Sequence, residues 1–122
     1  MEEGLDSILR TIKKMIGLPL KDFGQFDLDL IVHINAAFNT LTQLGVGPVE
    51  GFTITGLDEV WDDFVTDQRL DMIKSYIYMK VRLAFDPPSS STVIEAFNKQ
   101  IAEFEWRLNV AVDPSENNVL TP

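Results

Sequence analysis

The chain has 122 residues, of which 10 are Lys or Arg and 19 are Asp or Glu, so its formal net charge is −9. A chain of this length forms one domain. Its acidity disfavours a general nucleic-acid binder, because such proteins contact phosphates through basic patches. Cysteine is absent, which excludes disulfides and thiolate chemistry. No secretory signal is expected, since the first residues lack a basic segment, and no apolar run approaches the ~20 residues of a membrane span.

The first helix is predicted over residues 5–16, because apolar residues recur there at intervals of three and four. Arg10, Lys13 and Lys14 lie on its flank, and Gly17 ends it. Basic residues on an amphipathic helix usually face water, which is the favoured interpretation. Contact of this flank with an acidic neighbour or with DNA is the alternative.

A second helix is predicted over residues 28–44, with Asp27 as its N-cap and Gly45 as its left-handed C-cap. The single histidine, His33, lies off the apolar stripe of this helix and has no cysteine or second histidine to complete a metal site. It is interpreted as a flanking or surface residue. The apolar stripe consists of Ile31, Ile34, Phe38 and Leu41, widened by Leu28, Leu30 and Leu44.

Two irregular segments follow. Residues 45–57 hold four glycines and a proline, which predicts a loop or a small hairpin, and residues 52–55 alternate apolar and polar as a short strand would. No phosphate-binding loop motif is present. Residues 57–71 hold six acids and one arginine. They are predicted to form a short amphipathic helix with solvated acids, and a metal site or an acid–base pair is the alternative.

A long helix over residues 68–85, capped by Asp67, is predicted to be buried on most sides and to end before two prolines. Lys80 lies in the middle of its apolar face. This lysine either pairs with a carboxylate inside the fold or across a subunit interface, or extends its amine to water, or makes a direct functional contact. The polar residues occupy one narrow stripe: Asp71, Lys74, Ser75, Tyr78 and Arg82.

The last helix is predicted over residues 92–108, with Ser91 as its N-cap. Trp106 stands on its polar side and indicates an interface or a packing site for the tail, because tryptophan is enriched at interfaces. Residues 109–122 are predicted to form an extended tail, since proline, asparagine and serine dominate there. Its first residues either add as a strand to a partner's sheet edge or remain disordered.

The sequence therefore predicts an all-α fold of about five helices in a small bundle, with a short glycine-rich hairpin or loop and an extended C-terminal tail. The helical domain is assigned to residues 1–108 and the tail to residues 109–122. No nucleophile motif, cofactor fingerprint or metal-ligand spacing is present. We therefore expect no enzymatic activity, no cofactor and no metal, and composition alone predicts an acidic domain that interacts with other proteins.

Three stretches of the chain resemble a known family. They are FDLDLIVHINAAFNTLTQLGVGP at residues 26–48, YIYMKVRLAFDPP at residues 76–88 and IAEFEWRLN at residues 101–109. In this order and spacing they resemble the small head–tail connector, or adaptor, proteins of tailed bacteriophages. The resemblance covers most of residues 5–110.

The resemblance implies a structural protein of the virion, made in the host bacterial cytoplasm and placed at the head–tail junction. Such proteins are helical and form a homo-oligomeric ring, typically of twelve subunits, beneath the portal protein. The ring extends the DNA channel and joins the head to a stopper or tail-completion protein. DNA passes through without sequence-specific binding, and no membrane is involved.

The resemblance also suggests which residues make contacts in the assembly. Five residues of the matched stretches are expected to form ion pairs or contacts within or between subunits: Lys80, Arg82, Glu105, Trp106 and Arg107. The tail is expected to dock on the portal through five apolar residues: Val110, Ala111, Val112, Val119 and Leu120.

An acidic helical binding module, such as a DNA mimic that inhibits a cytoplasmic partner protein, is the alternative function. A DNA mimic needs acids in regularly spaced surface rows. The densest acids here lie in one short segment, residues 58–71, which argues against the alternative.

Overall fold

A computed structural model shows four α-helices: α1 (Ile8–Ile16), α2 (Asp27–Gln43), α3 (Leu70–Phe85) and α4 (Ser91–Val112). The structure describes residues 7–20 and 24–112, with the backbone alone for 111 and 112. A single turn of 3-10 helix, Trp61–Asp63, lies between α2 and α3. Within these residues the only β-type pairing is an isolated bridge between Ser7 and Val60. The predicted small all-α bundle is confirmed, with four α-helices and one 3-10 turn in place of five helices.

Helix α3 lies at the centre and packs against each of the other three helices, with its largest contact on α2. Ile73, Tyr76 and Ile77 are fully buried within it. The rings of Phe26 and Phe85 meet edge to face at 5.8 Å, so the start of α2 lies beside the end of α3 and the two helices are antiparallel. Helix α4 is also antiparallel to α3, because Tyr76 bonds to Glu105 while Tyr78, later on α3, lies against Phe97, earlier on α4. Helices α2 and α4 thus flank α3 and run in the same direction.

The link between α2 and α3 folds into the core without a strand. The side-chain amide of Asn35 pairs with both backbone groups of Ile54, accepting from its N–H at 2.7 Å and donating to its carbonyl at 3.0 Å. Phe38 of α2 packs against the rings of Phe52 and Phe64 from this link. The predicted strand at residues 52–55 is therefore wrong, and the loop alternative is confirmed, because a side chain satisfies the backbone that a neighbouring strand would otherwise pair.

Gly47 lies where this link passes closest to the aromatic rings. A Cβ at this position would overlap the Phe64 ring, and its φ of +87° is one that other residues rarely adopt. The link can therefore turn this tightly over Phe64 only with glycine at this position.

The helix ends differ from the predicted ones. Asp27 is the first residue of α2 and not its N-cap, and Asp67 accepts a hydrogen bond from the N–H of Arg69 outside α3. Ser90, not Ser91, accepts from the N–H of Val93 at the start of α4. Helix α4 also continues to Val112, so residues 109–112 are helical where an extended tail was predicted.

Lys13 and Asp27 form a buried ion pair that the sequence interpretation missed. Their side chains are 3% and 2% exposed, and the ammonium lies 3.0 Å from a carboxylate oxygen. The same oxygen accepts a hydrogen bond from the N–H of Gly24. The predicted exposure of Lys13 on a solvated flank is therefore wrong, because the turn before α2 brings a carboxylate over α1.

We predict that Asp27→Ala lowers the free energy of unfolding by roughly 3–5 kcal/mol, because removing one member of a buried ion pair leaves the other charge in a poorly hydrated site. Asp29→Ala is the matched control, since Asp29 lies in the same first turn and is exposed. We expect it to change that free energy by less than ~0.5 kcal/mol. Denaturation in urea measures both, and equal effects of the two variants would contradict this role of the pair.

Candidate functional site

The described residues contain no arrangement that resembles a catalytic or metal centre. No group of three or more His, Cys, Asp or Glu side chains in residues 7–20 and 24–110 is placed to hold a metal ion. His33 is half-buried at the edge of α2, as expected for a flanking residue. The described residues instead form exposed apolar and charged surfaces, which are the places where contacts with other macromolecules form.

One of these surfaces is a groove of about 390 Å³ that lies over α3 between α2 and α4. Ala36 on its α2 side and Ala84 on its α3 floor are exposed and small, so the groove can accept side chains from outside. We call this feature the α2–α4 groove. Its lining includes His33, Ala36, Thr40, Lys80, Ala84 and Asn98.

Lys80 supplies the positive charge of the α2–α4 groove. Its ammonium lies 5.9 Å from the centroid of the Tyr76 ring, one turn earlier on α3, which is within the range of a cation–π contact. The ion pairs found among the described residues do not include Lys80. Of the interpretations offered by the sequence, the internal ion pair is thus not found in the part of the chain that the structure describes.

Tyr76 and Glu105 connect α3 to α4 beside Lys80. The Tyr76 hydroxyl donates to a Glu105 carboxylate oxygen at 2.8 Å. Burial of the ring, followed by this hydrogen bond and the negative charge of Glu105, raises the pKa of Tyr76 well above its usual value. Glu105, predicted as an ion-pair residue, therefore serves as the acceptor for a buried phenol.

The other two basic residues proposed from the sequence have partners within the subunit. Arg82 donates to the Tyr78 hydroxyl at 3.0 Å and lies 3.8 Å from a carboxylate oxygen of Asp86. Arg107 pairs with Glu103 one turn earlier on α4. Both pairs are partly exposed and join neighbouring turns of one helix, so each contributes little to stability, about 0.3–0.5 kcal/mol.

Large apolar side chains are exposed on two of the helices. Trp106 on α4 is 67% exposed, as predicted from its place on the polar side. Leu28 and Val32, one turn apart on α2, are 67% and 63% exposed. The prediction that Leu28 widens the core stripe is wrong, because Leu28 points away from α3. Exposed aromatic and aliphatic side chains of this size are typical of surfaces that contact other proteins.

The acids of residues 58–71 divide into structural and exposed groups. The Glu59 carboxylate accepts from the N–H and hydroxyl of Thr55 and from the N–H of Gly56. Burial alone would raise the pKa of Glu59, but these hydrogen bonds outweigh it and lower that pKa. Five acids of this segment are exposed, and Asp67 among them pairs with Arg69. The other four are Asp58, Asp62, Asp63 and Asp71. We call these four residues the acidic face.

The apolar residues assigned to the tail fall into two sets. Val110, Ala111 and Val112 lie in the last turn of α4, and Val110 is half-buried. Val119 and Leu120 lie outside the described residues. Residues 110–112 therefore belong to the helix, which limits an extended tail to the residues after 112.

A small helical bundle with exposed apolar and charged surfaces has the character of a structural or binding protein. The family model described as "Phage connector protein" matches residues 8–115. The chain belongs to this family, as the three matched stretches predicted. This family points to a structural role in the virion rather than an enzymatic one, and it implies contact with portal or tail proteins.

The other two comparisons gave no match, one with curated proteins and the other with solved structures. Among the described residues, no helix is both long and apolar enough to cross a membrane.

We predict that the Tyr76 hydroxyl keeps its proton in the folded protein above about pH 10, the usual pKa of tyrosine. The unfolded state then binds fewer protons than the folded state, so the free energy of unfolding falls as the pH rises. Tyr78→Phe leaves Tyr76 as the single tyrosine, and its phenolate absorbance should rise only together with loss of helical circular dichroism. A phenolate signal in a fully helical sample would contradict this prediction.

Proposed function

We propose that this connector is an adaptor that assembles as a ring, typically of twelve subunits, beneath the portal of a tailed phage. The ring extends the DNA channel and joins the head to a stopper or tail-completion protein. The observation that carries the proposal is the exposure of large apolar side chains on two different helices, Leu28 and Val32 on α2 and Trp106 on α4, in a chain of the connector family.

A closed ring needs two different contact surfaces on each subunit, because every subunit meets one neighbour on each side. The exposed side chains of α2 and α4, the α2–α4 groove and the acidic face supply several such surfaces. A subunit that also binds the portal above and another protein below needs more contact area than a protein of this size that works as a monomer. The number and spread of these surfaces support a role between several partners.

The charge of the chain supports a channel through which DNA moves. A net charge of −9 on each subunit gives a strongly acidic ring. An acidic wall repels the phosphate backbone, so DNA gains no stable contacts with it and can slide. The same charge disfavours sequence-specific DNA binding by the ring.

The test is to mix the chain with the portal protein of the same phage and to measure the mass of the complex by size-exclusion chromatography with light scattering. We expect one portal oligomer to bind many copies of the chain. A chain that stays monomeric in the presence of portal would overturn the proposal.

Trp106→Ala should weaken this assembly by roughly tenfold or more, because an exposed tryptophan at an interface often contributes 2 kcal/mol or more to binding. The variant should remain folded, since the side chain is largely exposed. Lys99→Ala is the matched control, because Lys99 is also exposed on α4 and should assemble as the natural chain does. Equal assembly of both variants would show that Trp106 lies outside the contacts.

We further propose that the tail after residue 112 docks on the portal through Val119 and Leu120. Replacing both by Asp should reduce portal binding by roughly tenfold or more, because two apolar contacts are lost and two charges must be desolvated. Asn117→Asp combined with Asn118→Asp adds the same charge in the same segment and is the control. If both double variants bind portal as the natural chain does, the tail is not the docking element.

A further inference from the structure

The α2–α4 groove carries a positive charge that has no carboxylate partner among the residues that the structure describes. Lys80 is half-buried, and its described contact is the face of the Tyr76 ring. Glu105, the carboxylate that meets the same tyrosine, accepts a hydrogen bond from the Tyr76 hydroxyl. A cation on the floor of an open groove therefore remains able to pair with a carboxylate from outside, and the exposed Ala36 and Ala84 leave room for one.

The acidic face lies on the other side of α3. Asp71 precedes Lys80 by nine residues, which at about 100° per residue places the two on opposite sides of the helix. The 3-10 turn lies beside Asp71, because the Lys74 ammonium, one turn further along α3, sits 5.6 Å from the centroid of the Trp61 ring. Asp62, which follows Trp61, and Asp71 are both exposed, and neither has an ion pair among the described residues.

We propose that the acidic face of one copy of the chain docks in the α2–α4 groove of the next copy, where a carboxylate of Asp62 or Asp71 pairs with Lys80. Because the groove and the acidic face lie on opposite sides of α3, the contact joins two different surfaces. Such a contact repeats from copy to copy and closes into a ring when the rotation between copies permits. The inference rests on the proposed ring and names the surfaces that meet within it.

Charge complementarity favours the acidic face of a second copy as the occupant of the α2–α4 groove. The chain has nearly twice as many acids as bases, so most randomly chosen contacts between copies would repel. An acidic surface can approach a second copy favourably only where that copy presents a cation. Lys80 offers one inside a recess, where an ion pair is less screened by salt than at an open surface.

The first test compares charge reversals in portal-bound assemblies measured by light scattering. Lys80→Glu should weaken multi-copy assembly by roughly tenfold or more, because it opposes like charges across the contact. Lys99→Glu makes the same charge change on the outer side of α4 and should assemble within about twofold of the natural chain, as surface changes outside a contact usually do. Adding Asp62→Lys and Asp71→Lys to Lys80→Glu should restore assembly. Circular dichroism checks that every variant is folded.

The second test uses the absence of cysteine in the chain. Ala84→Cys places a thiol at the groove, and Asp71→Cys places one on the acidic face. A short bismaleimide should join portal-bound copies that carry both changes into a ladder of dimers, trimers and longer products. Either change alone should give no ladder.

The outcomes separate this inference from the proposed function. If the natural chain binds portal in many copies but the double-cysteine variant gives no ladder, the inference is overturned and the adaptor role stands. A dimer from Ala84→Cys alone would show grooves facing each other and would also overturn it. Failure of the natural chain to assemble on portal would overturn both. Failure of the Asp62→Lys and Asp71→Lys changes to restore assembly would reject these carboxylates as the partners of Lys80.

Discussion

The packing of α3 against α1, α2 and α4 is the interaction on which the rest of the structure depends. Ile73, Tyr76, Ile77 and Val81 are buried against the neighbouring helices, and the polar residues of α3 lie together on one strip that stays partly open to solvent. That strip carries Asp71 and Arg82, as the periodicity predicted. Because α2 and α4 lie on α3 without closing over it, the same packing that builds the core also creates the α2–α4 groove.

The positions of the helices were largely predictable, and their charged contacts were not. Apolar spacing locates α1 to α4 to within a few residues, because the periodicity of a buried helix is a local property of the sequence. The Lys13–Asp27 pair joins residues 14 apart across a turn. The spacing of apolar residues in α1 does not show that a carboxylate from a later segment packs against its flank. The sequence therefore predicts that Lys13 faces water.

The candidate site shows the same division between local and non-local information. The pattern of a single helix is enough to place Lys80 on an apolar face and Trp106 on a polar face. Both residues belong to the surface features found in the structure. The groove itself depends on how far α2 and α4 stand apart over α3, which is set by tertiary packing. Ala36 and Ala84 carry no sequence signal of their own, and they gain meaning only when the helices are placed side by side.

The way in which the chain uses its few cations links the fold to its role as a connector. Lys13, Arg69, Arg82 and Arg107 are each held by a carboxylate of the same subunit, and Lys74 lies over the Trp61 ring. These ion pairs leave the net charge unchanged, but they raise the share of acids among the charged side chains that stay unpaired. Surfaces that are mainly acidic repel other copies of the chain, so the proposed ring requires a few cations in defined places. Lys80 is such a cation, and its recess suits the carboxylate of the next copy that we propose as its partner.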